Sequence, residues 1–168
     1  MVEAISNSGP LIHLAQIEKF ELLNVFSKIY IPKEVFKEVC TAGKQGEKEL
    51  KKAENVEILE VSGKNVGNIK KKVKGFKLDE GELQALCLCN KLKKIFLTDD
   101  WDAREASKTF GLEVHGSVGI ITRAYREGLI NFQRAEKALS DLYNVSSLFV
   151  TKTIIDEAIE ELRKFAQG

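Results

Sequence analysis

A chain of 168 residues with 43% hydrophobic content is long enough to bury one ordinary core, and 26 Lys and Arg against 25 Asp and Glu leave a formal net charge of +1. That balance excludes an overall basic field, so any nucleic-acid binding has to come from local clustering. The start Met1-Val2-Glu3-Ala4-Ile5 lacks a basic segment followed by a long apolar one, and no later stretch reaches the length of a membrane span, which predicts a soluble, cytoplasmic protein without membrane contact.

The first strand is expected over Val2–Ile5, and it runs into the polar turn Ser6-Asn7-Ser8-Gly9-Pro10. A second strand is expected over Ile29–Ile31, with Pro32 suited to the first turn of a helix through Cys40 that carries Glu38. After a third strand over Val56–Val61 comes the one strong charge block, Lys64 to Lys77, which reads as an exposed helix or loop. Asp79-Glu80-Gly81-Glu82 then opens a helix whose residues Leu83, Ala85, Leu86, Cys87, Leu88, Cys89 and Leu92 are apolar almost all round, as in a central buried helix. Cys87 and Cys89 stand two apart, where helical side chains diverge, so with Cys40 they read as buried thiols. Metal binding by that pair is the competing reading and lacks the C-x2-C spacing of tetrahedral sites.

The fourth strand, Ile95–Thr98, ends in Asp99-Asp100-Trp101-Asp102 at the head of a helix Trp101–Phe110, and Glu113–His115 is a fifth strand-like run. Gly111 and Gly128 suit helix ends, and Ser117 suits the N-cap of Val118–Glu127. Strands alternating with helices predict an α/β fold with a mainly parallel sheet. From Asn131 the pattern is helical only, with Phe132, Ala135, Leu139 and Leu142 on one face and Ile154, Ile155, Ala158, Ile159 and Leu162 on another. The expected organisation is an α/β domain over residues 1–130 and C-terminal helices over 131–168 that pack on it or supply a dimer surface.

Ligands of open parallel sheets bind beyond the carboxyl ends of the strands, which draws attention to Asn7, to Asp99 through Asp102, to Glu82 and to Glu38. Carboxylates gathered from separate elements repel unless a cation compensates, and hard oxygen donors suit Mg2+ or Mn2+. Such an ion lowers the pKa of a bound water for attack on phosphorus. Each residue has a plainer use: Asp99 or Asp100 as a helix cap, Asp79 with Glu82 as a capping box, Glu38 as a solvated helix residue. Ser8 and Thr98 suit turn and supporting hydrogen bonds. His13 and His115 are the only histidines, and neither lies in a nucleophilic-serine context.

Ser8-Gly9-Pro10-Leu11-Ile12-His13-Leu14-Ala15, Ile31-Pro32-Lys33-Glu34-Val35-Phe36-Lys37-Glu38-Val39, Gly81-Glu82-Leu83-Gln84-Ala85-Leu86 and Thr98-Asp99-Asp100-Trp101-Asp102-Ala103-Arg104 together resemble the PIN domain. That is the α/β nuclease fold of many prokaryotic toxin components and RNA-processing enzymes, and the motifs resemble more narrowly an uncharacterised prokaryotic PIN-like group, over roughly residues 1–130. The resemblance implies a three-layer α/β/α sandwich. It implies a metal-dependent endoribonuclease in which Glu38, Glu82 and Asp100 are catalytic and hold Mg2+ or Mn2+, with Asn7, Asp99 and Asp102 as further metal candidates. Single-stranded RNA is the implied substrate, with Arg104, Arg123, Arg126 and the Lys70–Lys74 block as candidates for its phosphates, although blocks of like charge are usually solvated. A toxin component implies an antitoxin protein as partner and a homodimer. Asn7 takes the place of the family's first aspartate, and an amide offers a metal one neutral oxygen without the charge. This leaves open a weakened nuclease or an inactive RNA- or protein-binding module. A small-molecule phosphatase or a receiver domain is disfavoured by Asn7-Ser8-Gly9, where those folds usually need aspartate.

Overall fold

The computed structural model describes residues 2–41 and 43–168, and within them five short apolar runs form strands. In chain order the elements are β1 (Val2–Ser6), α1 (Ser8–Gln16), a 3-10 turn (Phe20–Val25), β2 (Phe26–Pro32), α2 (Lys33–Val39), α3 (Glu47–Lys52) and β3 (Val56–Leu59). There follow α4 (Gly63–Lys72), α5 (Glu80–Leu92), β4 (Ile95–Leu97), α6 (Trp101–Lys108), β5 (Val114–His115), α7 (Ser117–Arg126), α8 (Phe132–Asn144) and α9 (Lys152–Gln167). The sheet order is β3-β2-β1-β4-β5, and every neighbouring pair is parallel. Since β1 continues to β2 on one side and pairs with β4 on the other, the chain changes direction across the sheet between β1 and β4. This is the kind of place where such folds open a ligand crevice.

Alternation along the strands sends neighbouring side chains to opposite faces and so builds two cores. Ala4, Ile29, Ile31 and Leu97 face a cluster completed by Leu11, Leu14, Ile120 and Ala124, whereas Ile5 and Phe96 face Val66, Ile69, Leu86 and Cys89 of α4 and α5. Helices therefore cover both faces of the sheet, giving the α/β/α sandwich. Ala135, Leu139, Leu142, Ile155 and Leu162 belong to the first cluster, which joins α8 and α9 to the body through α7. Ile154, expected on the apolar face of α9, is about half exposed. Cys87 and Cys89 are buried free thiols, and Cys40 is partly buried. No helix among the described residues is long and apolar enough to cross a membrane.

Element boundaries differ from the sequence pattern where tertiary pairing decides them. β2 begins at Phe26, three residues before the expected start, because its first residues pair with β1 from Val2 onward. β3 stops at Leu59 because its partner β2 ends at Pro32, which has no N–H to extend the ladder and instead caps α2. α7 starts at Ser117 with Gly116 as its cap, so the expected Ser117 cap is not formed; its hydroxyl is engaged elsewhere. Gly111 and Gly128 do take the left-handed conformation expected at chain reversals, with φ of 64° and 80°.

Candidate metal centre at the ends of the central strands

In the register of β1 and β4, Ser6 lies opposite Leu97, so the next residues, Asn7 and Thr98, emerge side by side beyond the sheet. Both are buried, and the Asn7 amide donates to Thr98 Oγ1 at 2.6 Å while its own oxygen accepts from Gly9 N at 3.2 Å and caps α1. The same Thr98 hydroxyl accepts from Asp100 N at 3.1 Å, and Asp100 Oδ2 accepts from Ala103 N at 2.8 Å to cap α6. One buried threonine thus ties the start of α1 to the start of α6. Asp100 is presented at the crevice with one of its two oxygens committed.

The third approach comes from α5. Asp79 caps it by accepting from Glu82 N at 2.8 Å, and Glu82 accepts from Asp79 N at 3.3 Å, so the capping box suggested by the sequence is formed. Burial first, then the negative charges of Asp79 and Asp100, pushes the Glu82 carboxyl up from 4.5 to about 8. Glu82 and Asp100 therefore repel across the gap between α5 and α6. Glu38 reaches the same helix start from α2: its Oε2 lies 3.5 Å from the point where a Cβ on Gly81 would stand, as does Asp79 Oδ1. The α2 carboxylate therefore stands beside the first turn of α5, at a distance that a Cβ there would also allow.

Asp99 points another way. Its carboxylate accepts from Ser117 N and Ser117 Oγ, each at 2.6 Å, and from His13 Nδ1 at 2.7 Å, and its side chain is only 7% exposed. This carboxylate bolts α7 and α1 to the end of β4 rather than facing Glu82. The link depends on Gly116, where a Cβ would stand 2.7 Å from Asp99 Oδ1. Asp102 sits in the first turn of α6 beside that helix's unpaired amides, and it is not among the charges that raise Glu82. The partner set His13–Asp99–Ser117 was not assembled from the sequence; the usable signal was a glycine immediately before Ser117, which marks a close approach.

Among the described residues no group of three or more acidic, histidine or cysteine side chains already stands as a metal cage. The structure thus brings Glu82 and Asp100 into electrostatic contact, sets Glu38 and Asn7 at the margins and turns Asp99 away.

A family model described as DUF3368, a PIN domain, matches residues 3–164. The chain belongs to the PIN-domain family. No curated protein matches it significantly. Among solved structures, this PIN domain is similar to a chain of the crystal structure of VapBC2 from Rickettsia felis bound to a DNA fragment from their promoter. The TM-score is 0.47 at 13% identity, covering 68% of this chain and 98% of that one.

The arginines of the PIN domain are not gathered at its crevice. Arg104 lies near it, with Nη2 3.3 Å from where a Gly116 Cβ would stand, and it lines a groove of about 470 Å3 with Asp99, Trp101, His115 and the α8–α9 loop. It makes no ion pair with Asp100 among the described residues. Arg123 pairs with Glu127 at 3.0 Å, lies over the Phe26 ring, and lines a pocket with Val2, Glu3 and Ile95 at the opposite, amino end of the strands. Arg126 is exposed in the last turn of that same helix.

Proposed function

We propose that this PIN domain is a divalent-metal-dependent endoribonuclease that cleaves single-stranded RNA, with Glu82, Asp100 and Glu38 as its catalytic residues. The observation that carries the reading is the approach of Glu82 and Asp100 beyond the β1/β4 crossover, where burial and then the charges of Asp79 and Asp100 leave the Glu82 carboxyl at about 8. Acids that repel one another without a basic partner are the arrangement a cation relieves. The donors are all oxygens, which fits Mg2+ or Mn2+, and Mg2+ is commonly held by one or two carboxylates with waters and substrate phosphate completing its shell. A preformed cage is therefore not required. Glu82 and the uncommitted oxygen of Asp100 would hold the ion, with Asn7 Oδ1, Asp99 and Asp102 as outer candidates, and Glu38 would orient the attacking water. When bound, the ion supplies a Lewis acid for a phosphate oxygen and a more acidic water. The chain's own part is to fix these carboxylates on helix starts and to offer Arg104 to the substrate backbone.

The test is cleavage of a labelled single-stranded RNA in Mg2+ or Mn2+. Glu82→Gln and Asp100→Asn, each checked to be fully folded at the assay temperature, should lower the rate by about two orders of magnitude or more. Full activity in both variants defeats the assignment.

A second reading, a domain with a weakened site that binds RNA or protein, is favoured by Asn7, whose buried amide is committed at both ends to Thr98 and Gly9. On that reading wild type shows little cleavage, and Asn7→Asp gains Mn2+ affinity. Within the nuclease reading we assign the protein to a toxin–antitoxin pair. An antitoxin would cover the groove beside the site, where Trp101 and Phe149 are 71% and 97% exposed. A homodimer would cover exposed Tyr143, Val145 and Phe165 near the C-terminal helices. Light scattering that returns only the 18.8 kDa of one chain would reject the dimer.

A further inference from the structure

The molecule is nearly neutral overall, but its charge is not evenly spread. Between Glu60 and Asp79 the sequence holds Lys64, Lys70, Lys71, Lys72, Lys74 and Lys77 with no acid, and between Glu82 and Asp99 it holds Lys91, Lys93 and Lys94 with no acid. The fold brings these two stretches together, because α4 packs on α5 through Val66, Ile69 and Val73. Between the two helices runs an open groove of about 360 Å3, lined by Asn65, Asn68, Lys72, Asn90 and Lys91 over Ile69 and Cys87. Among the described residues the α4 lysines and Lys91 make no ion pair with an acid; Lys93 donates to Asn90 and Lys94 pairs with Glu3. Lysines without an acidic partner, gathered along α4 and at the end of α5, give this part of a nearly neutral chain a positive local field.

We propose that this α4–α5 face binds the sugar–phosphate backbone of single-stranded RNA, at a surface separate from the acidic crevice. Lysine ammoniums supply point charges for phosphates, and the amides of Asn65, Asn68 and Asn90 supply donors and acceptors for phosphate and ribose oxygens between them. An anionic membrane is the weaker match. Interfacial helices present large apolar side chains to the bilayer, and none of the exposed large hydrophobics falls between residues 61 and 94. Lys91 follows Glu82 on the same helix by nine residues, roughly 14 Å of rise and two and a half turns, which puts the groove on the other side of α5 from the crevice. The choice of RNA as ligand rests on the ribonuclease reading, whereas the surface itself is tested by binding alone.

The experiment measures fluorescence anisotropy of a labelled oligouridylate of roughly a dozen nucleotides with the full chain in EDTA, across a salt series. Wild type should bind with a salt-dependent Kd. The triple variant Lys70→Ala, Lys72→Ala, Lys91→Ala should bind about tenfold or more weakly, and its log Kd against log salt slope should shrink by about 2, from about 0.7 per lost phosphate contact. The comparison triple Lys48→Ala, Lys51→Ala, Lys52→Ala on α3 should bind as wild type does. An unchanged Kd and slope in the first triple, or an equal loss in the second, overturns the proposal. So does binding to phosphatidylserine vesicles without binding to the oligouridylate. If the first triple melts early, Asn68→Asp, which places one negative charge in the groove, should weaken binding several-fold, and no effect from it is equally fatal. Lysine-dependent binding without cleavage in Mn2+ removes the nuclease reading and leaves the surface standing.

Discussion

Asn7 and Glu82 show how closely capping and metal chemistry overlap in this crevice. Replacing Asn7 by Asp need not break the link between β1 and β4. The Thr98 hydroxyl, which now accepts from the amide, can donate to a carboxylate and still accept from Asp100 N. Asn7→Asp should therefore fold and bind Mn2+ about tenfold or more tightly by calorimetry, and unchanged affinity would show that this side chain does not face the ion. Glu82 gives a pH-dependent signature without metal. Its folded carboxyl titrates at about 8 against an ordinary 4.5, so the folded state holds a proton that the unfolded chain releases. The resulting stability is fully present below about 4.5 and is lost as pH rises through about 8. Glu82→Gln keeps an acceptor for Asp79 N and removes the charge. In EDTA its melting temperature should gain on wild type between about pH 5 and pH 9, and a constant difference would refute the repulsion. Asn7, Glu82 and Asp100 were legible in the sequence because each stands at a strand end or helix start. The role of Asp99 was not, because its partners His13 and Ser117 lie 86 and 18 residues away and meet it only through the fold.

The helix starts carry the site, and this makes stability and activity separable at Asp100. Asparagine caps a helix about as well as aspartate, whereas alanine forfeits the bond to Ala103 N and costs about 1 kcal/mol. Asp100→Asn should melt within a degree or so of wild type and lose cleavage, while Asp100→Ala should lose cleavage and melt about 2–4 °C lower. Equal melting of the two variants would show that the cap contributes nothing. Element order was readable from periodicity, and the ends were not. Pro32 marks the end of β2 locally, but the start of β2 and the end of β3 are set by their ladder and the start of α7 by the diversion of Ser117 to Asp99, which are not local signals. Gly116 signals a close approach in the sequence but not what approaches, because the oxygen it makes room for arrives from another strand end.

The sheet, with helices on both faces, divides the molecule into a core shared by α1, α7, α8 and α9 and a second one shared by α4, α5 and α6. The crevice sits where β1 and β4 bring the two together, so its carboxylates are held by both. The C-terminal helix should then matter to the carboxylates at the strand ends through the core as well as through Ile154 in the neighbouring groove. Leu162 of α9 is fully buried in the cluster that contains Ala4, Leu97 and Ile120, and Leu162→Ala should cost about 2–5 kcal/mol through lost burial and the cavity left behind. If α9 is part of one cooperative unit, urea unfolding of this variant shifts to lower concentration with an unchanged slope, and hydrogen exchange speeds up in β1 and β4 as well as in α8 and α9. Faster exchange confined to α8 and α9 would instead mark them as a separately unfolding attachment. The first outcome is expected because Leu14 of α1, which follows Asn7 directly, and Leu97 of β4, which precedes Thr98, lie in the same buried cluster as Leu162.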